Sequence, residues 1–299
     1  MTETQLPATL LANGPYARDD APFALLDVLG PDAGAFLQRL CSQDVVGLDD
    51  GQLAPAAFLD AKGKLVCTVL VWRRGDGFRL ETHREQVERL FELLERYHFT
   101  EKLSIARVEQ GGCHEYVAAA AEPVASAVNT DDGCQLRYAR HGVLFVRSYG
   151  DTTRVSATPL AEDLAEALRM AAGLVRVGVE TEASTLALEA GLDDHCSTRK
   201  GCYTGQEIVA RIHTYGHVNR KLCLLQLGGG DAIEAPATLL EPEDELPVGR
   251  VMHAVPVAGH DLRVGLGYLP KDFQALGTRL QLEDGGVATV VGFGDAADG

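Results

Sequence analysis

The sequence predicts an α+β protein that ends in a small antiparallel β-barrel. Three observations carry this reading. Apolar runs of strand length recur in the first half, separated by short turns rather than by regularly alternating helices. Two amphipathic helical stretches follow groups of strands instead of linking each pair, which excludes a doubly wound sheet. The last eighty or so residues hold short strands at regular spacing, the pattern of a closed all-β unit.

The elements follow in order. Met1 to Asp20 is polar and aperiodic and reads as a loose lead-in. Phe23 to Leu29 is an apolar run of strand length. Gly30-Pro31 then opens a short helix with Phe36, Leu37 and Leu40 on one face, proline being acceptable in a first turn. Ala56–Leu59 and Lys64–Trp72 are strands around an Asp60-Ala61-Lys62-Gly63 turn, and Phe78–Glu81 is a third. Thr82 and Glu85 have the spacing of a capping box before a helix with Val87, Leu90, Phe91 and Leu94 on one face. Glu115–Ala121 and Gly142–Ser148 are further strands. A second helix spans Thr158–Ala172, with Leu160, Leu164 and Leu168 on one side and Gly173 just past its end. Lys221–Leu227, Val248–Val257, Leu262–Tyr268, Thr278–Leu282 and Val287–Val291 are the later strands. Acidic, turn-like segments lie at 228–231 and 241–245. The expected domains are residues 1–220, with 46–134 a candidate inserted sub-domain, and 221–299, the barrel.

Composition narrows the function classes. The chain is 46% hydrophobic and 23% charged, ordinary for a soluble globular protein. No stretch reaches transmembrane length, and the first twenty residues lack the basic and apolar regions of a signal peptide. The seven cysteines are an odd count with no Cys-x-x-Cys pair, so they read as reduced thiols in a cytoplasm. A formal charge of −16 argues against broad electrostatic binding to nucleic acid or an anionic membrane. Gly228-Gly229-Gly230 lacks the following Gly-Lys-Ser/Thr of a phosphate loop and reads as a turn. His213 and His217 have metal-ligand spacing, but Gly216 lies between them and no carboxylate completes a motif, so no metal site is assigned.

The densest chemistry lies in Lys200-Gly201-Cys202-Tyr203-Thr204-Gly205-Gln206-Glu207, followed by Ala210-Arg211. A cation next but one to a thiol favours its thiolate, so Lys200 is expected to activate Cys202, helped by any helix starting near Thr204. Cys196 lies six residues earlier and offers a disulfide partner, which the signature does not require. Cluster-ligating cysteines ordinarily come in groups of four, and that spacing is absent here.

This stretch resembles the signature of the YgfZ family, folate-binding relatives of the glycine-cleavage T-protein that are implicated in iron–sulfur cluster assembly or repair. Thr185-Leu186 and Glu189-Ala190-Gly191-Leu192 also match, and the resemblance covers nearly the whole chain. The chain departs from the family's usual residues at Ala171 (glutamate), Val175 and Ala187 (prolines), Glu180 (aspartate) and Tyr215 (arginine). The resemblance implies a T-protein-like fold, tetrahydrofolate as cofactor, and iron–sulfur assembly proteins or client enzymes as partners. It makes Cys202 the functional thiol. Tyr203, Gln206 and Glu207 would shape the pocket, and Arg211 would pair with Glu207 or a ligand carboxylate. Folate's anionic tail needs cations, for which Lys200, Arg211, Arg176 and Arg220 are the candidates. Aligned on Gly63, relatives with aminomethyl-transfer activity carry Asp-Asp where this chain has Cys67-Thr68. A thiol and a hydroxyl cannot replace a carboxylate in proton transfer or cation stabilisation. The expected function is therefore folate-dependent support of iron–sulfur enzymes. A folate-dependent aminomethyl or methyl transferase, or a scaffold with a degenerate folate pocket, are the alternatives.

Overall fold

The computed structural model describes residues 1–109, 112–150, 155–216, 218–228, 234–257 and 262–294. The chain begins with α1 (Gln5–Leu10), β1 (Tyr16–Ala21), β2 (Phe23–Leu29), α2 (Ala33–Leu40), β3 (Leu53–Leu59), β4 (Leu65–Arg74) and β5 (Gly77–His83). It continues through α3 (Val87–Tyr97), β6 (Ser104–Arg107), β7 (Cys113–Ala119), β8 (Ala125–Asn129), β9 (Gly133–Arg140) and β10 (Val143–Gly150). Then come β11 (Thr158–Pro159), α4 (Glu162–Ala171), α5 (Gln206–Tyr215) and β12 (Arg220–Gly228). The last elements are β13 (Ala237–Leu240), β14 (Pro247–Pro256), β15 (Arg263–Pro270), β16 (Arg279–Leu282) and β17 (Val287–Phe293).

Three sheets result. One has the order β3-β4-β5-β2-β6, a second β11-β1-β7-β10-β9-β8, and β12-β15-β14-β13-β16-β17 close into a barrel. The α+β fold with a C-terminal antiparallel barrel is therefore what the chain adopts. The stretch 46–134 forms no sheet of its own: β3–β5 belong to the first sheet and β7–β9 to the second.

The alternation of β4 decides where its side chains go. Cys67, Val69 and Val71 pack with Phe36, Leu37, Leu90 and Leu94 into the core under α2 and α3. Leu70 and Trp72, of opposite parity, pack with Leu136, Cys134 and Tyr138 of the second sheet. The two sheets thus face one another, and Thr68 shares the parity of Leu70. A third cluster joins Leu6 and Leu10 of α1 and Leu168 of α4 to Leu222, Leu224 and Val291 of the barrel. Each fully buried leucine of this kind contributes about 1.5–3 kcal/mol relative to exposure.

Several expectations need correction. Met1–Asp20 is no loose lead-in: Leu6 and Leu10 are wholly buried, and the Glu3 carboxylate accepts the Phe293 N–H at 3.0 Å. The second helix starts at Glu162, because Thr158 and Leu160 donate their N–H groups to Pro15 O and Ala17 O, tying that segment to β1. The capping box is not formed. Thr82 is strand, its hydroxyl donating to Thr68 O at 2.9 Å, and the His83 imidazole accepts the Glu85 N–H instead. The strands β1, β6, β8, β9, β11 and β13 escaped the sequence reading. Gly229, Gly230, Asp231 and His217 lie outside the described residues.

Candidate functional site

The signature loop is fastened to the end of α2 by its own backbone. Ser197 N–H donates to Ser42 O at 2.9 Å, and Ser42 Oγ donates to His195 O at 2.6 Å and accepts from Ala57 N. Thr204 N–H donates to Arg39 O at 3.2 Å. The glycines are then dictated by sterics. Gly205 has φ +84°, and a Cβ there would stand 2.7 Å from Asp60 O and 2.9 Å from Leu59 Cβ. Gly63, at φ +72°, would press a Cβ to 2.7 Å from Ile208 Cβ on α5. The Asp60–Gly63 turn and the signature therefore pack directly on each other.

Lys200 is corrected by this geometry. Its side chain is buried, and Nζ donates to Cys41 O at 2.9 Å and Gln43 O at 2.6 Å. Burial pushes its pKa down, and the charged or polar groups that offset this are Cys41 and Asp44, not Cys202. The ammonium serves as a latch on the α2 C-terminus and makes no hydrogen bond to the signature thiol among the described residues. Cys202 is exposed, while Cys41, Cys67, Cys113, Cys134, Cys196 and Cys223 are buried. Cys196, its suggested disulfide partner, is free and buried, and burial pushes its thiol up to about 11. The helix α5 begins only at Gln206, four positions after Cys202.

The other signature residues divide between interior and solvent. Tyr203 is buried, stands with its ring 5.2 Å from Lys200 Nζ, and has a hydroxyl with no partner. Gln206 accepts the Tyr203 N–H on Oε1 at 3.2 Å and so fixes the loop. Glu207 and Arg211 are exposed on α5, and no ion pair between them is formed among the described residues. Arg220 sits where the barrel meets the rest, 3.7 Å from Glu182 and 3.6 Å from Glu189, with its guanidinium 4.7 Å from the Tyr268 ring centroid. These residues do not converge on one pocket.

A partly apolar cavity lies elsewhere, between the two sheets. It encloses about 590 Å³ including its mouth, and Phe23, Leu70, Leu174 and Val175 supply apolar wall. Thr68, Thr82, His83, His195 and Tyr138 add polar groups, and Arg147, Arg169 and Arg176 add cations. Of the predicted cations only Arg176 is here. Arg147 is sandwiched against the Phe23 ring at 3.4 Å and bonded to Glu81 at 2.5 Å and Glu115 at 2.9 Å. Arg169 bridges Glu180 at 2.5 Å and Glu166 at 2.9 Å. Arg176 holds Glu166 and Glu85, each at 3.2 Å, but its buried Nε has no partner.

Electrostatics follow from this packing. Burial, then the Arg176 charge, pushes His83 down to about 4. Burial alone would raise Glu166, yet Arg169, Arg176 and His253 together hold it at about 2. Glu166, Glu180 and His253 could offer a metal three ligand atoms within 4.8 Å of one another. Arg169 hydrogen-bonds both carboxylates and Arg176 pairs with Glu166, and His253 Nδ1 lies 2.8 Å from Glu180 Oε1, so the set is a polar network joining β14 of the barrel to the cavity wall. Cys67 lies in the apolar core, pushed up to about 12 by burial, and Thr68 alone of the pair lines the cavity. Ala171 is wholly buried in the core beside the barrel.

Sequence reasoning missed Arg147, Arg169, Glu166 and His83. Neither Glu166 nor Arg169 lies on the Leu160-Leu164-Leu168 face, and they are buried because α4 is covered on nearly every side from Ala165 to Ala171, which no local pattern discloses.

The comparisons agree with this architecture. No family model matches the chain. It is 29% identical to the tRNA-modifying protein YgfZ of Klebsiella pneumoniae, over 95% of this chain and 84% of that one. It is 27% identical to the tRNA-modifying protein YgfZ of Yersinia enterocolitica, over 79% of this chain and 76% of that one. A chloroplastic protein of Arabidopsis thaliana, provisionally named a transferase, is 25% identical over 89% of this chain and 67% of its own length. Among solved structures, the glycine cleavage system aminomethyltransferase T from Bartonella henselae superposes with a TM-score of 0.75 at 18% identity, over 97% of this chain and 88% of that one. The chain is similar to the YgfZ proteins and adopts the fold of the glycine-cleavage T-protein.

Proposed function

We propose that this chain binds tetrahydrofolate in the cavity between its two sheets, and that exposed Cys202 is its contact to iron–sulfur assembly proteins or iron–sulfur client enzymes. The observation that carries the first half is Arg176, whose buried Nε faces no partner at the wall of a partly apolar cavity. A folate presents an anionic glutamate tail and a flat ring, which need a cation that still has an unbonded donor and an apolar slot with a few polar groups. Arg147 and Arg169 are fully engaged by buried carboxylates and act as walls. Arg176 is thus the ligand-facing cation, in place of Lys200 and Arg211.

Calorimetry with tetrahydrofolate tests this. Micromolar binding, about −8 kcal/mol, is expected for the wild type. Arg176→Ala should weaken it at least about tenfold, the scale of one charge-assisted hydrogen bond, while Arg211→Ala leaves it unchanged. Loss in Arg211→Ala with retention in Arg176→Ala would move the folate site to α5. For the thiol, Cys202→Ala should abolish support of iron–sulfur enzyme activity in cells, and Cys223→Ala, buried in the barrel, should not.

Cysteines that form no disulfide among the described residues support a reducing compartment such as the cytoplasm. No helix among the described residues is long and apolar enough to cross a membrane. The name given to the Arabidopsis relative favours one second reading, group transfer from folate. Thr68 occupies the cavity wall where a carboxylate would be needed, so no methylene-tetrahydrofolate should form from an aminomethyl donor. Measurable turnover would establish the enzyme reading instead.

A further inference from the structure

Two imidazoles stand in the cavity wall, and their hydrogen bonds give them opposite characters. His83 Nδ1 accepts the Glu85 N–H at 3.4 Å, so in the neutral ring Nε2 carries the proton and offers a donor. His195 Nδ1 lies 2.8 Å from Asp194 Oδ1. A carboxylate only accepts, so this nitrogen holds the proton, and in the neutral ring Nε2 is left as an acceptor. His195 is only 5% exposed, yet Nε2 makes no hydrogen bond among the described residues. The carboxylate that orients the ring is itself held, since Arg140 Nε stands 3.3 Å from Asp194 Oδ2. Arg140 is fixed in turn by donating to Gly173 O at 2.6 Å and to Gly191 O at 2.9 Å.

Unengaged acceptors are scarce in this wall. Its carboxylate, Glu81, is bonded by Arg147 and by the Tyr149 hydroxyl. His195 and the cation Arg176 also reach the cavity from different strands. Ser42 Oγ ties His195 O to Ala57 of β3, and Ala57 pairs with Thr68 of β4. Arg176 is tied through Glu85 to the end of β5. β4 lies between β3 and β5, so about 10 Å, two inter-strand spacings, separates the strands to which the two groups are fastened. An elongated ligand lying across them meets an acceptor at one end and a cation at the other.

A reduced pterin ring turns two donors, an amide N–H and an exocyclic amine, to one edge, and that edge calls for an acceptor. The glutamate tail at the far end of a folate calls for a cation. We propose that His195 Nε2 accepts a hydrogen bond from this edge of the pterin ring, so that folate lies across β4 with its ring at the Asp194–His195 pair and its tail at Arg176. This deepens the reading of the cavity as a folate site and rests on it. Asp194 is a positioning residue, which keeps the proton on Nδ1 and the lone pair of Nε2 toward the ligand. His83 does not substitute, because its bond to the Glu85 N–H leaves it a donor.

The test is calorimetry on the full chain with two probes, tetrahydrofolate and its glutamate dimethyl ester, which keeps the ring and removes the charge of the tail. His195→Leu should weaken both probes about tenfold, the scale of one hydrogen bond in a desolvated site. His195→Gln still presents an oxygen acceptor and should stay within about threefold of the wild type. Asp194→Asn can donate to Nδ1 and so move the ring proton to Nε2; it should lose affinity for both probes as His195→Leu does. Arg176→Ala should weaken tetrahydrofolate but bind the ester as the wild type does. Asp194 is partly exposed, so its variant decides the matter should His195→Leu fail to fold. Unchanged affinity in His195→Leu and Asp194→Asn would overturn the proposal, and so would a His195→Gln loss as large as that of His195→Leu. A His195→Leu loss that vanishes with the ester would place His195 at the tail instead. Failure of the underlying reading shows separately, as a wild-type protein that binds no tetrahydrofolate.

Discussion

Replacing Lys200 with methionine separates two roles that the sequence alone confounds. Methionine keeps the apolar stem and removes the ammonium, so Cys41 O and Gln43 O lose the donor that reaches them at 2.9 and 2.6 Å. Each orphaned buried acceptor costs about 1–3 kcal/mol. Part of this is offset because a buried ammonium, whose pKa is already pushed down by desolvation, no longer has to be accommodated. A net loss of about 2–3 kcal/mol is expected from these terms. Urea unfolding should show it as a lower midpoint with an unchanged slope. In the same preparation Cys202 should react with neutral dithiodipyridine within about twofold of the wild-type rate, because no interaction links it to the ammonium. Unchanged stability with a thiol slowed about tenfold would refute the latch and restore Lys200 as the activator of Cys202.

Three further outcomes follow from the packing. Glu166 is held at about 2 against an ordinary 4.5, so its contribution to stability is complete above about pH 5 and disappears as the pH falls toward 2; Glu180 is lowered too and adds in the same direction. Thermal midpoints should fall over that window, and Glu166→Gln should start lower and flatten the profile; a parallel profile would remove the ion network from the explanation. Native protein should take up one equivalent of thiol reagent, at Cys202, and seven in denaturant; rapid native labelling of a second cysteine would contradict the packing. Gly205→Ala should cost about 2–4 kcal/mol by combining left-handed strain with its clash against Asp60 O, whereas Gly216→Ala, at φ +103° with open space around it, should cost only about 1 kcal/mol. Equal denaturation midpoints for the two variants would show that backbone strain alone matters.

What the sequence disclosed depended on how local each signal was. Phe23–Leu29 was legible as a strand because seven consecutive residues carry the pattern. The barrel was legible because four of its strands repeat at short intervals, while β13, only four residues long, was not. The opening helix was hidden because its two decisive leucines are buried by α4 and the barrel, contacts made far along the chain. The signature was recognised by chemistry and its glycines by backbone demand, but direction was invisible in one dimension. Lys200 and Cys202 are neighbours in sequence, yet one side chain turns inward to Cys41 O and the other outward. The cavity was missed for a related reason, since Arg147, Arg169 and Arg176 reach it from different elements. Only partner geometry separates a solvated arginine from a buried one.

The hydrogen bond from Phe293 to Glu3 spans 290 residues. That contact cannot form until β17 has been made, so α1, which packs earlier on α4, is fully secured only then. At ordinary translation speeds that interval is roughly 15–60 s. For all of it, Leu6 and Leu10 lack the barrel side of their burial and remain a hydrophobic stripe near the start of a growing chain. At this seam the fold closes against its direction of synthesis.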